Sequence, residues 1–407
     1  MKILILTQYF PPETGAAQSR LKNLALHLSE KGAEVTILTA MPNYPSMKIM
    51  ESYRGKFHCC EEAEGLKIHR VWLYAGTSKA IVPRLLNYFS FVITSFLTGL
   101  FRLGHFDYLI CESPPLFLGI SGFLLSRIKK AKLIFNVSDL WPESAEKLGL
   151  VTNRFLLNLS TRLEEFLYRK SFMVTGQTKG IVNNIVKRFP QKQVMWLKNG
   201  AVFDKKEIPS SSGWRSGNGF SEDDFLLIYA GILGHAQGLE VILRSAEILK
   251  QQKKIKFIII GDGPVKDSLK ALRRELELEN VFFFDPVPKN ELNSIVSGVN
   301  AAIIPLKRID LFMGAIPSKI FDNLFLKKPV LLGVEGEAKE LFIDNAGAGL
   351  GFIPGDADDL SAKILQLYGD PEFVREAGEK GFNFLQHHFN WDKIIEEFWE
   401  KLDQKKT

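Results

Sequence analysis

The chain has 407 residues, enough for two or three domains at roughly 150 residues each. Hydrophobic residues make up 46% and charged residues 24%, and this globular balance excludes disordered, collagenous and coiled-coil chains. The net charge of +6 is unevenly spread: residues 1–200 hold 26 Lys/Arg against 14 Asp/Glu, and residues 201–407 hold 26 against 32, so the first half suits an anionic lipid or a phosphorylated substrate. No nucleic-acid motif is present, and nucleic acid is not an expected partner. Three Cys, two of them adjacent (Cys59, Cys60), cannot build a disulfide framework, which points to a reducing compartment. No CxxC or His cluster has zinc spacing. The start, MKILILTQYF, reads as a buried strand and not as a signal peptide.

In chain order the pattern predicts a strand at Ile3–Thr7, a helix at Ser19–Lys31, and strands at Glu34–Thr39, Tyr108–Glu112, Lys132–Asn136, Phe172–Gly176 and Val194–Leu197. The alternation restarts in the second half. Strands are predicted at Phe225–Ala230, Lys256–Ile260, Val281–Phe284, Ala301–Ile304 and Pro329–Gly333, and helices at Leu239–Lys250 and Val265–Leu276. Continuous apolar strands between amphipathic helices predict two α/β, doubly wound parallel sheets. A seam is expected at Asp204–Asp224, rich in Ser and Gly without apolar period. The expected domains are residues 1–203, 204–385, and a last helix in 386–407 (Trp391–Lys401) that crosses back. Ligands of such folds sit at the carboxyl ends of strands, and two facing units predict an inter-domain cleft.

Between Arg84 and Arg102 lie seventeen uncharged residues, too short and too interrupted by Asn87, Ser90, Thr94, Ser95 and Thr98 for a comfortable span. The polar positions share one stripe. Either a helix near 81–103 lies in the headgroup region of an anionic membrane, flanked by Lys79, Arg84 and Arg102, or it is a buried core helix of the first unit.

Several loops carry chemistry. Gly15-Ala16-Ala17 opens the first helix, where uncapped N–H groups favour phosphate, and Arg20 is either a phosphate contact or a solvated helix residue. Asp139 and Glu143, in Ser138-Asp-Leu-Trp-Pro-Glu-Ser144, follow a strand and are placed to bind sugar hydroxyls or take an acceptor proton; the alternative is a capping Asp before a Trp-Pro turn. Asn199-Gly200 is a turn or a ligand contact. His235 and Cys111 read as structural. The second half adds Gly231 and the loop Ala236-Gln237-Gly238-Leu239, then Gly261-Asp-Gly263-Pro264, then Gly314-Ala-Ile-Pro317-Ser318-Lys319-Ile-Phe-Asp322.

In this order these motifs resemble the retaining glycosyltransferases of family 4, with the GT-B fold, over nearly the whole chain, and most closely the WbuB-like L-N-acetylfucosaminyl transferases of bacterial surface polysaccharides. The resemblance implies two Rossmann-like domains, a nucleotide-sugar donor held mainly by the second, an acceptor held by the first, retained anomeric configuration, and no metal or other cofactor. The family's Glu-x7-Glu falls on Gly314 and Asp322, so its first carboxylate is missing. Ile232 and Gln237 stand where many members have Arg and Lys, though the WbuB-like group commonly has this Gln, and Lys319 remains as the diphosphate cation. The expected function is transfer of a sugar, of hexosamine type from a UDP-sugar, to a polyprenyl-diphosphate-linked or growing glycan for O-antigen or capsule, in the cytoplasm at the inner face of the membrane. A nucleotide-sugar epimerase and a non-catalytic GT-B partner protein are the alternatives, the latter motivated by Gly314.

Overall fold

The computed structural model describes residues 1–44, 46–76, 81–147, 151–201, 203 and 213–403. They form two compact units, one of Met1–Asn199 plus the chain from Trp391 onward, the other of Gly200–Asn390.

The first unit runs β1 (Lys2–Leu6), α1 (Ala16–Glu30), β2 (Glu34–Ala40), β3 (His58–Ala63), β4 (Leu66–Val71), α2 (Ile81–Arg102), β5 (Tyr108–Ser113), α3 (Leu118–Ile128), β6 (Lys132–Val137), α4 (Glu143–Lys147), α5 (Arg154–Lys170), β7 (Met173–Gly176), α6 (Lys179–Arg188) and β8 (Val194–Trp196). Its sheet has the order β3-β4-β2-β1-β5-β6-β7-β8, parallel except for the β3–β4 hairpin. That hairpin turns on Glu64 and Gly65, both at positive φ, as a two-residue hairpin loop prefers. Successive strand residues face opposite sides. Ile3, Ile5 and Ile37 pack with Leu21, Leu24 and Leu28 of α1; Leu4, Leu6, Leu109 and Phe135 pack with Phe91 of α2, Leu118 and Leu125 of α3 and Leu167 of α5.

The second unit runs α7 (Trp214–Gly217), β9 (Phe225–Ala230), α8 (Glu240–Ile248), β10 (Ile255–Ile260), α9 (Lys266–Glu275), β11 (Val281–Phe284), α10 (Lys289–Ser297), β12 (Ala301–Pro305), α11 (Lys319–Phe325), β13 (Val330–Gly333), α12 (Glu337–Lys339), β14 (Gly349–Gly351), α13 (Ala357–Gly369) and α14 (Pro371–His388). Its sheet, β11-β10-β9-β12-β13-β14, is parallel throughout. The strands FLLIYA and IKFIII are nearly continuous apolar runs because both faces are covered.

Residues 204–212 of the expected seam lie outside the described residues. The remainder is anchored to the second unit: the Arg215 guanidinium donates to the carbonyls of Gly298 (3.1 Å), Ser221 (2.9 Å) and Asp224 (2.5 Å), and Trp214 stacks on Phe220. These contacts have no apolar period, which is why the stretch reads as linker. The last helix, α15 (Trp391–Asp403), returns to the first unit. Trp391 stacks on His27 of α1, and the Tyr108 hydroxyl donates to the Leu402 carbonyl (2.7 Å).

Candidate active site

In the second unit the Gly-rich turns meet at the carboxyl ends of β9 and β10. A Cβ on Gly261, at φ +152°, would fall 1.9 Å from the Gly231 carbonyl oxygen. One on Gly263 would fall 2.3 Å from that of Leu233. Two backbone loops therefore lie in direct contact, and the Gly263-Pro264 turn is required by packing as much as by any ligand. Gly238 closes the 3-10 turn His235–Gln237 and rests on Lys307, whose N–H donates to the Ala236 carbonyl (2.9 Å). Gln237 lies within this turn, folded back toward Gly234. His235, expected to be structural, is exposed on this turn.

Lys319, the first residue of α11, extends along Gly231 and sets its Nζ 5.2 Å from the centre of the Tyr229 ring. Burial pushes its ammonium below the ordinary lysine range, and the nearby Asp322 opposes that shift. Among the described residues its Nζ has no hydrogen bond or ion pair, and it lies over an aromatic face. The structure thus holds a partly desolvated cation beside the glycine turn. Pro317 and Ser318 lead into α11 without a side-chain cap. Asp322 pairs with Lys289 (3.4 Å) on the exposed side, and Gly314 ends a 3-10 turn, Asp310–Gly314, with no carboxylate to offer.

In the first unit Gly15 precedes α1, and no side chain caps the helix start at Ala16. Arg20 is not a solvated helix residue. Its side chain is 2% exposed, and its Nη2 donates to Glu112 Oε1 (2.5 Å) and Ser138 Oγ (2.6 Å), while its Nη1 is buried without a partner. Glu112 Oε2 accepts from Asn136 Nδ2 (2.5 Å), and Asn136 Oδ1 accepts from the Thr175 hydroxyl (2.6 Å). A buried polar chain therefore crosses the ends of β5, β6 and β7 and ends on Ser138, next to Asp139. Asp139 Oδ1 accepts from Ser144 Oγ (2.5 Å). Glu143 is held by Lys147 (2.7 Å) in a surface ion pair. Asn199, half-buried, is the last residue of the first unit before Gly200 and has partners of its own. Cys111 is fully buried and burial pushes its thiol up, as a structural cysteine requires. Glu112 and Asn136 were not singled out in the sequence. The available signal was a carboxylate and an amide at the ends of otherwise apolar strands.

Helix α2 turns its polar stripe inward. Asn87 accepts from Gln8 Nε2 (2.6 Å) and donates to the Tyr74 carbonyl (2.7 Å), Thr94 donates to the Trp72 carbonyl (2.7 Å), and Ser95 bonds Ser121 of α3 (3.1 Å). The outer face is apolar: Val82, Leu86, Phe89, Ile93, Leu97 and Phe101 are 39–78% exposed. By length and composition α2 could cross a membrane. Its inner face instead packs into the core through Phe91 and Val92, so the helix belongs to the body of this unit. Arg84 and Arg102 are exposed near its two ends; Lys79 lies outside the described residues.

The second unit thus offers close backbone approach and a partly desolvated cation, and the first unit offers a positioned carboxylate. The class is that of two-domain glycosyltransferases. Residues 15–200 match the Glycosyl transferase 4-like domain and residues 211–384 match Glycosyl transferases group 1, so the chain is built from the two domains of this enzyme family. It is similar to a protein named as colanic acid biosynthesis glycosyl transferase WcaI of Escherichia coli, with 24% identity over 80% of this chain and 81% of the relative. It is also similar to one named as glycosyltransferase WbjE of Pseudomonas aeruginosa, with 25% identity over 68% and 70%. Among solved structures, sucrose-phosphate synthase of Thermosynechococcus elongatus superposes with a TM-score of 0.76 at 16% identity, covering 99% of this chain and 98% of that one. HepE of Anabaena, in complex with UDP and glucose, gives 0.71 at 15% identity over 99% and 100%. The fold is GT-B.

Proposed function

We propose that this chain moves a sugar, of hexosamine type, from a UDP-sugar to a glycan carried on a polyprenyl diphosphate, in surface polysaccharide assembly at the inner, anionic face of the cell membrane. The observation that carries the reading is Lys319, a half-buried cation that lies over the Tyr229 ring beside Gly231 and forms no ion pair among the described residues. WcaI, named for colanic acid biosynthesis, and HepE with its bound UDP support the pathway class and the base. The resemblance of its motifs to those of L-N-acetylfucosaminyl transferases supports the sugar.

In this reading the acceptor hydroxyl attacks the anomeric carbon on the face the diphosphate leaves. The bond from that carbon to the phosphate oxygen breaks, the new glycosidic bond forms, and the hydroxyl proton passes to the departing phosphate oxygen. Lys319 stabilises the charge that grows there. Asp139, fixed by Ser144 and by the Arg20–Glu112 chain behind Ser138, orients the acceptor hydroxyl. The reading calls for no metal and no side-chain nucleophile. The outward apolar face of α2, with Arg84 and Arg102 near its ends, supports docking on anionic lipid.

A thermal-shift panel with UDP, GDP, dTDP, ADP and NAD tests the donor. A ligand at a hundredfold excess over Kd adds about 2.7 kcal/mol of stability. A shift with UDP that Lys319→Ala abolishes is the expected result. A shift with NAD, or with no nucleotide at all, refutes the reading, the latter in favour of a non-catalytic partner protein.

A further inference from the structure

The apolar face of α2 does not stop at the helix. Phe89, 39% exposed, places its ring 4.8 Å from that of Phe117, which lies immediately before α3. Phe117 in turn sits 5.9 Å from Trp141. Phe117, Leu140 and Trp141 are half-buried, and the Trp141 N–H donates to the Asp139 carbonyl (3.0 Å). Three rings in contact therefore lead, partly open to solvent, from the outer face of α2 to the loop that holds Asp139. Neither α2 nor α3 carries a carboxylate, and Arg84, Arg102 and Arg127 supply the charge around the apolar strip. Open aromatic faces gain by covering with apolar chain, and Arg84, in the first turn of α2, puts a cation on the same end of that helix as Phe89.

We propose that Phe89, Phe117 and Trp141 form the seat for the first isoprene units of the acceptor lipid, leading its diphosphate-linked sugar from the bilayer face of α2 to Asp139. The proposal rests on the lipid-linked acceptor reading and names the residues that would recognise the lipid. The occupant is a prenyl chain and not merely a bilayer surface, because the ring series departs from the line Val82–Leu86–Ile93–Leu97–Phe101 and ends beside a candidate catalytic carboxylate. The track carries no covalent step; it binds and orients.

The full-length chain is titrated with farnesyl diphosphate and with isopentenyl diphosphate, which share a head and differ in tail. The same preparations are floated with phosphatidylglycerol-containing vesicles. Wild type is expected to bind farnesyl diphosphate about tenfold more tightly than isopentenyl diphosphate, the effect of added buried apolar chain. Phe89→Ser and Trp141→Leu each remove most of that preference and leave isopentenyl diphosphate binding unchanged. Ile93→Ser, on the same helix face but outside the ring series, weakens flotation and keeps the preference. A retained UDP-induced thermal shift and an unchanged circular dichroism spectrum show that each variant is folded. A wild type that floats but shows no farnesyl preference overturns the track alone, as does a preference that Phe89→Ser leaves intact or that Ile93→Ser removes equally. A wild type that neither floats nor binds either diphosphate overturns the lipid-linked acceptor reading and the track with it.

Discussion

Removing Arg20 is expected to be among the most damaging single changes in the first unit. Its guanidinium and the Glu112 carboxylate are 2% and 4% exposed and 2.5 Å apart. Arg20→Met keeps the aliphatic volume but leaves Glu112 a buried carboxylate with only Asn136 and Ser138 as hydrogen-bond donors. Breaking one side of a buried pair costs about 3–5 kcal/mol, and the lost hydrogen bond to Ser138 adds about 1 kcal/mol. Against a domain stability of roughly 5–15 kcal/mol this is a large share. The assay is urea unfolding followed by tryptophan fluorescence. Of the six tryptophans, Trp72, Trp141, Trp196, Trp391 and Trp399 lie in the first unit and only Trp214 in the second, so the signal reports the unit that is perturbed. The midpoint is expected to fall by roughly 1–2 M. Glu112→Leu should cost a similar amount, because Arg20 is then the stranded charge, and Arg20→Met with Glu112→Leu together should cost well under the sum of the two singles. Single losses below about 1 kcal/mol, or strict additivity, would refute the buried-pair reasoning.

Two further outcomes are expected in the second unit. Burial holds the Lys319 pKa below its unfolded value, so the nucleotide-free protein gains stability as pH rises between the two, whereas UDP affinity is full below the lowered pKa and falls above it, by up to about tenfold per pH unit. Calorimetric titration of UDP against pH checks this, with Lys319→Arg flattening the alkaline limb and Lys319→Ala losing about tenfold or more at neutral pH; a pH-independent Kd would contradict it. Gly261→Ala is expected to cost about 2–4 kcal/mol and to abolish UDP binding, since the new methyl meets the backbone of Gly231. As a control in the first unit, Gly104→Ala, with open space around it, should stay within about 0.5 kcal/mol when both glycine variants are compared by thermal unfolding.

Most of the parallel strands were readable from the chain because strands buried on both faces are written as unbroken apolar runs, such as Phe225–Ala230, but β4 (LKIHRV) and β14 (GLG) carry no such run. The edge strand β3 was not, because His58–Ala63 is partly exposed and mixes Cys, Glu and His without period. The glycine loops were legible in their order along the chain. The reason for Gly261 was not, since it lies in the carbonyl of Gly231 thirty residues earlier. Arg20 could be seen only as a cation near a helix start. Its partner stands 92 residues away and meets it because β1 and β5 are neighbours in the sheet, a matter of topology and not of spacing. Lys319 was reached by exclusion of other cations, and its contact with Tyr229 needed the three-dimensional arrangement.

Helix α2 shows why a stripe must be assigned a direction before it is given a meaning. An ordinary surface helix puts its polar face to water and its apolar face to the core. Here Asn87 and Ser95 point in at 1% and 0% exposure, while Ile93 and Phe101 point out at 58% and 78%. The inversion is not a packing failure, because Asn87, Thr94 and Ser95 each have hydrogen-bond partners on the inner side. Satisfying buried polar groups in this way contributes little net stability, on the order of 1 kcal/mol per bond, so it does not offset six large side chains left in water. The same unit does not repeat the arrangement on the other side of its sheet, where α1 and α15 expose no large aliphatic or phenyl side chain among the described residues. Among the helices of this unit the uncovered apolar surface therefore lies on α2, α3, α5 and α6, and it is greatest on α2, whose start adjoins the ring series to Asp139. A free-energy deficit so localised is removed by a partner that covers that surface, and a lipid surface covers it without requiring a matching protein contour.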